Sequence, residues 1–115
     1  MTTLLFVYGS LQRGHANHAL LRGAELVAAA RTAPRYRLAA LDGYAVLLPG
    51  GARAIRGELY RVAPAVLGEL DAFEGDAYVR GEVELADGQC VEAYIGAHGS
   101  SQAAQELDAD AWCDR

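Results

Sequence analysis

The sequence predicts an α+β domain built on one curved antiparallel or mixed sheet, and three observations carry that prediction. Short apolar runs recur along most of the chain, separated by Gly, Pro and Asp-Gly punctuation. Only residues 64–74 show a sustained helical stripe. The 115 residues, 52% of them hydrophobic, suffice for one compact core. No linker, repeat or low-complexity tract divides them, so residues 1–115 read as a single domain.

Thr3 to Tyr8 is a β-rich apolar run, expected to be a buried first strand. It leads into Gly9-Ser10-Leu11, where glycine permits a turn whose consecutive N–H groups can face outward, a concavity suited to anionic oxygens. Gln12 to Asn17 is polar and loop-like, and His18 to Arg22 suits a short helical turn stopped by Gly23. Glu25 to Arg31 is ambiguous: its alanines favour helix, Leu26-Val27 favour strand, and strand is preferred. Tyr36 to Ala40 alternates as a strand. Leu41 to Leu48 is an apolar segment broken by Asp42-Gly43, Pro49-Gly50-Gly51 is a turn, and Ala54 to Val62 is a further strand.

Pro64 suits the first position of a helix, because its fixed φ is helical and its missing N–H is not needed there. Val66, Leu67, Leu70 and Phe73 follow at helical spacing, and Gly75 is a natural stop. Glu74 comes four residues after Leu70 and seven after Leu67, which puts it inside the apolar stripe. A carboxylate aimed at the core side of a helix is costly unless it has a partner or a task. Glu74 is therefore either held by a buried hydrogen bond or employed in chemistry, whereas Asp71 and Glu69 fall on the flanks of the stripe, Asp71 on a solvated one. Tyr78 to Leu85 alternates, with Val79, Val83 and Leu85 on one face. Asp87-Gly88 is a two-residue hairpin signal, after which Val91, Ala93 and Ile95 supply a core face. Ser100 to Leu107 suits a last short helix, ahead of an acidic end containing Trp112.

Composition narrows the function classes. The net charge of −5, without a basic face interleaved with aromatics, disfavours nucleic acid. No run approaches the ~18–20 apolar residues that span a bilayer, and no basic-then-apolar leader is seen, so the expectation is a cytoplasmic protein without a membrane partner. Cys90 and Cys113 lack metal or redox spacing and read as reduced thiols. The absence of lysine excludes Schiff-base chemistry and a lysine-dependent phosphate loop. Residues 1–37 hold five arginines against Glu25 alone, a bias that could offer a locally positive mouth to an anionic small molecule, although solvated surface is the preferred reading.

Among nucleophiles, Ser10 lacks the second glycine of a nucleophile elbow. His15 and His18 sit in a polar loop without further metal ligands, and with His98 they read as surface residues, so no metal site is expected. Glu58, on an alternating strand, competes with Glu74 as a catalytic carboxylate but is expected to be exposed. Arg80 is expected to pair with Glu74, Glu82 or Glu84.

At this point the residues resemble a known family. Phe6-Val7-Tyr8-Gly9-Ser10-Leu11, followed by Gly14 and Asn17-His18, is similar to the N-terminal signature of the γ-glutamylcyclotransferase-like proteins. Leu47-Leu48-Pro49-Gly50, Gly57-Glu58-Leu59-Tyr60, Leu70-Asp71-Ala72-Phe73-Glu74-Gly75 with Tyr78 and Arg80, and the ending with Trp112 follow in the family's order. One departure is that Tyr44 is not followed by the proline often found there, which touches pocket shape more than chemistry. The resemblance implies a small closed or nearly closed β-barrel with short flanking helices. It implies a cavity where the Tyr8-Gly9-Ser10-Leu11 turn faces the end of the Glu74 helix, with Tyr78 as a further pocket residue. It implies cyclisation of a γ-glutamyl amide or amine to 5-oxoproline, with Glu74 as general base, no cofactor and no metal. Its expected partner is a small γ-glutamyl molecule, acted on by a monomer or weak homodimer. A non-catalytic binding protein with the same cavity, and an amide hydrolase using Ser10 or Cys90, are the alternatives.

Overall fold

The first apolar run forms β1 (Thr3–Val7), and both of its faces are covered. Leu5 and Val7 pack with Leu67 and Leu70 of a helix on one side, while Phe6 faces Leu38, Leu47, Ile55 and Ala93 on the other. That two-sided burial explains why the strand is apolar without alternation. The computed structural model describes residues 1–97 and 104–112. Its other strands are β2 (Glu25–Arg31), β3 (Tyr36–Leu41), β4 (Tyr44–Pro49), β5 (Arg56–Val62), β6 (Tyr78–Glu84), β7 (Cys90–Gly96) and β8 (Gln105–Glu106). The helix α1 (Pro64–Glu74) has Pro64 in its first turn and ends at Gly75, whose φ of 67° a side chain would resist. Short 3₁₀ turns cover His18–Leu21 and Gly75–Ala77.

Among the described residues the fold is a mixed α+β one, a curled half-barrel sheet with one α-helix against it. The strands follow the order β2-β5-β1-β7-β4-β3-β8, and β6 pairs with β7. β7 therefore has a fork on one side: Glu92 and Ala93 run parallel to β1, and Ile95 then runs parallel to β4. Among the described residues the β2 and β6 edges meet at a single bridge, Thr32 to Leu85, instead of a closing ladder.

Several local expectations differ from the structure. The two-residue turn is Asp42-Gly43, both at positive φ, which joins Leu41 to Tyr44. Asp87-Gly88 lies instead in a longer loop closed by the Leu85 N–H to Gln89 carbonyl bond. Gln105–Glu106 is a strand, because the edge of β3 offers it partners at Ala39 and Ala40; the earlier part of the expected last helix, residues 100–103, lies outside the described residues. Val79 is half exposed instead of joining Val83 in the core, and Phe73 is likewise half exposed at the end of α1. No helix among the described residues is long and apolar enough to cross a membrane.

Candidate active site

The fork in the sheet creates the site. Where β7 leaves β1 for β4, the Tyr94 carbonyl and the Leu47 N–H would lack strand partners. The Tyr8 hydroxyl fills the gap, donating to the Tyr94 carbonyl at 2.5 Å and accepting from the Leu47 N–H at 3.0 Å. Ligand crevices in open sheets lie beyond the carboxyl ends of parallel strands at such switch points. Here the chain leaves β1 through Tyr8 into Gly9-Ser10-Leu11, directly above the fork.

That turn is closed by the Gln12 N–H to Gly9 carbonyl bond at 3.1 Å. Gln12 Nε2 donates to the Tyr8 and Gly9 carbonyls at 2.8 and 3.2 Å, and Asn17 Nδ2 donates to Ser10 Oγ at 2.8 Å. His18 Nδ1 lies 2.9 Å from the Leu11 carbonyl. Glu58 Oε1 accepts from the Arg13 N–H at 2.7 Å and from the Tyr60 hydroxyl at 3.0 Å. Carbonyls and side chains of the turn are thus tied down. Among the described residues nothing accepts from the Ser10 and Leu11 N–H groups, although Leu11 is buried. A pair of unspent amides on a fixed loop suits an anionic or developing-anion oxygen.

Across a chamber from this turn stands Glu74. Phe6, Val7, Tyr8, Gly9, Ser10, Leu11, Ala45, Glu74, Tyr78 and Tyr94 line it, and its volume is about 30 Å³, room for one or two waters. A wider cleft of about 290 Å³, walled by Leu41, Asp42, Tyr44, Phe73 and Ala77, shares Glu74 and Tyr78 with the chamber. Among the described residues the Glu74 carboxyl has no hydrogen-bond or ion-pair partner, so the buried-bond alternative is not realised there. Burial pushes its pKa from 4.5 up to about 7. Its charge in turn adds to burial in raising the pKa values of Tyr8, Tyr78 and Tyr94, which face it.

The six residues singled out from sequence, Tyr8, Gly9, Ser10, Leu11, Glu74 and Tyr78, all line this one chamber. Two hydroxyls are spent on backbone: that of Tyr8 on the fork, and that of Tyr78 on the Ala45 carbonyl at 2.6 Å. Two neighbours differ from expectation. Glu58 is mostly buried, with 15% of its side chain exposed, because it holds the Arg13 N–H. Arg80 pairs with Asp71 and Glu92 instead of Glu74, Glu82 or Glu84. Asp71 lies on a solvated flank, as expected, and in addition accepts from the Tyr94 hydroxyl at 2.6 Å. Tyr94 was missed as a lining residue. Its one available signal was its place on β7 opposite the face of Val91 and Ala93, a bulky ring that the helix side of the sheet had to accommodate. The arginines of the N-terminal third do not line the chamber; Arg13, Arg22, Arg35 and Arg37 face Glu58, Glu69, Glu84 and Glu106. Among the described residues no group of three or more His, Cys, Asp or Glu is placed to hold a metal ion.

The sequence model of the gamma-glutamyl cyclotransferase, AIG2-like family matches residues 5–114, spanning the turn, the fork and Glu74. The chain belongs to this family. It is accordingly an enzyme of the γ-glutamyl cyclotransferase type. A Vibrio cholerae protein provisionally named a gamma-glutamylcyclotransferase is 33% identical over the whole of this chain and 99% of its own. The human gamma-glutamylaminecyclotransferase is 39% identical over 80 residues, 62% of this chain and about half (52%) of the human one. Among solved structures, a uropathogenic E. coli-specific protein superposes with a TM-score of 0.85 at 26% identity, over 93% of this chain and 88% of that one.

Proposed function

We propose that this cyclotransferase closes a γ-glutamyl amide or amine to 5-oxoproline and releases the free amine, with Glu74 carrying the protons. The supporting observation is a largely buried carboxyl, unpartnered among the described residues, across a chamber from two unspent amides. In such a substrate the α-amine attacks the γ-carbonyl carbon of the same molecule. A C–N bond forms, the amide C–N bond breaks, and no water is consumed. Holding both groups in line can supply ~7–11 kcal/mol of the barrier in well-aligned systems. The remaining need is a base for the α-ammonium proton that can return one to the leaving nitrogen, and a carboxyl titrating at about 7 suits both transfers. The Ser10 and Leu11 N–H groups would hold the substrate carboxylate or the oxyanion of the tetrahedral intermediate. Tyr8 and Tyr78 contribute ring surface, since their hydroxyls are occupied. A γ-glutamyl unit exceeds the chamber alone, so its reacting end is assigned to the chamber and the remainder to the cleft.

The protein is proposed to act as a single domain on a small molecule, as a monomer or weak homodimer, without a cofactor, in the cytoplasm. Mass spectrometry of products from a panel of γ-glutamyl amines and dipeptides is expected to show 5-oxoproline. Glu74→Gln is expected to lower kcat by about 10²–10⁴-fold with the fold retained by circular dichroism. Glutamate as the product, or turnover by Glu74→Gln within tenfold of wild type, would overturn the reading.

A further inference from the structure

Tyr94 links the two halves of the site. Its carbonyl receives the Tyr8 hydroxyl at the root of the turn, and its ring lines the chamber. Its own hydroxyl donates to Asp71 Oδ1 at 2.6 Å and approaches the Leu67 carbonyl at 3.4 Å, both on α1. Asp71 lies one helical turn before Glu74, and its carbonyl accepts the Gly75 N–H that caps the helix. Arg80 of β6 completes the cluster, with Nε 3.2 Å from Asp71 Oδ1 and a terminal nitrogen 3.1 Å from Glu92 Oε1 of β7. None of this is needed merely to keep α1 on the sheet, which Leu67 and Leu70 already do. Its effect is on the last turn, where Phe73 is half exposed and apolar packing fixes little.

We propose that Asp71 and Tyr94 are a positioning pair that sets the last turn of α1, and so the Glu74 carboxyl, against the chamber; this rests on Glu74 being the acid–base group. Neither residue exchanges a proton with substrate. The titratable groups around Glu74 are Tyr8, Tyr78 and Tyr94 of the chamber and Asp42 and Tyr44 of the cleft, with Asp71 on its own helix and Arg80 and Glu92 beyond it. Misplacing a catalytic group by about 1 Å can cost as much as about 100-fold in rate, so a loosened last turn is measurable.

The test uses the full chain with Tyr94→Phe, Asp71→Ala, Asp71→Asn and the Tyr94→Phe/Asp71→Ala double variant. Two quantities are read: kcat and KM, and the titration of Glu74 followed by the ¹³C signal of its carboxyl without substrate. Tyr94→Phe and Asp71→Ala are each expected to lower kcat by about 10- to 100-fold with KM within about threefold. Both should move the Glu74 titration back toward the ordinary carboxyl range as water reaches it. Asp71→Asn keeps an acceptor for Tyr94 and should recover most of the loss. The double variant should lose no more than the worse single one, since both remove one bond. Wild-type kcat and titration in Tyr94→Phe, or losses that multiply in the double variant, would overturn the pairing. Should Glu74→Gln keep its activity, the acid–base reading falls, while the carboxyl titration still shows whether the pair fixes Glu74.

Discussion

Glu74 is a carboxyl whose burial nothing offsets among the described residues, and both its use and its cost follow from that. An acid held above its ordinary pKa keeps its proton in the fold while the unfolded chain releases it. Stability is therefore lost as pH rises from the usual carboxyl range to about 7, and the full penalty remains above that. A shift of this size corresponds to a penalty on the order of 3 kcal/mol. Glu74→Gln removes the ionisation without changing the shape. It is expected to melt several degrees above wild type at pH 8 and nearly with it at pH 4, measured by thermal unfolding across pH. The same titration governs catalysis in the opposite sense, because the base must be ionised to take a proton. kcat/KM should rise tenfold per pH unit and level off near pH 7, the range in which the free enzyme's carboxyl titrates. An acid limb centred near pH 4.5 would assign the chemistry to an ordinary exposed carboxylate.

The loop from Gly9 to His18 and the helix α1 meet over the fork, and each is held by bonds that span the sequence. Glu58 is the clearest case: its carboxylate on β5 receives the Arg13 N–H from 45 residues away. Hydrogen bonds to a charged acceptor are worth about 1.5–3 kcal/mol, but Gln12, Asn17 and His18 share the task here. Glu58→Ala is thus expected to raise KM about fivefold with kcat little changed, and Glu58→Gln, which still accepts, to restore most of it. Steady-state kinetics showing a fall in kcat at constant KM would make Glu58 part of the chemistry instead. The elements themselves were legible where local physics decides them. Pro64, the apolar spacing and Gly75 delimit α1 without help from the rest of the chain, and they place Glu74 on its inner side. The supports of the site were not legible in the same way. Glu58 looked exposed, and the tie of the exposed Asp71 to Tyr94 went unseen, because their partners, the Arg13 N–H and the Tyr94 hydroxyl, are distant in sequence. Gln105–Glu106 looked helical because its pairing with β3 is a tertiary event.

On the scale of the molecule, the position of the chamber depends on how closely β5, β1 and β7 lie together. β1 pairs antiparallel with β5 over five residues, and Val7, opposite Glu58, leads straight into Tyr8 and the turn. Gly57 is the residue that permits this approach. A Cβ there would lie 2.3 Å from the Val7 carbonyl oxygen and 2.8 Å from Phe6 Cζ. A side chain could swing away from such a contact, but the carbonyl belongs to the central strand and can retreat only by moving β1. Val7 and its neighbours are packed on both faces, so the strain would spread to the fork plugged by Tyr8 instead of being absorbed locally. Gly57→Ala is therefore expected to cost about 2–3 kcal/mol, lowering the melting temperature by roughly 10 °C. Because the strain enters at the root of the turn, the folded fraction should also bind substrate more weakly than wild type at temperatures well below its melting point. A melting temperature within about 2 °C of wild type and an unchanged KM would mean that β5 can draw back from β1 without disturbing the turn.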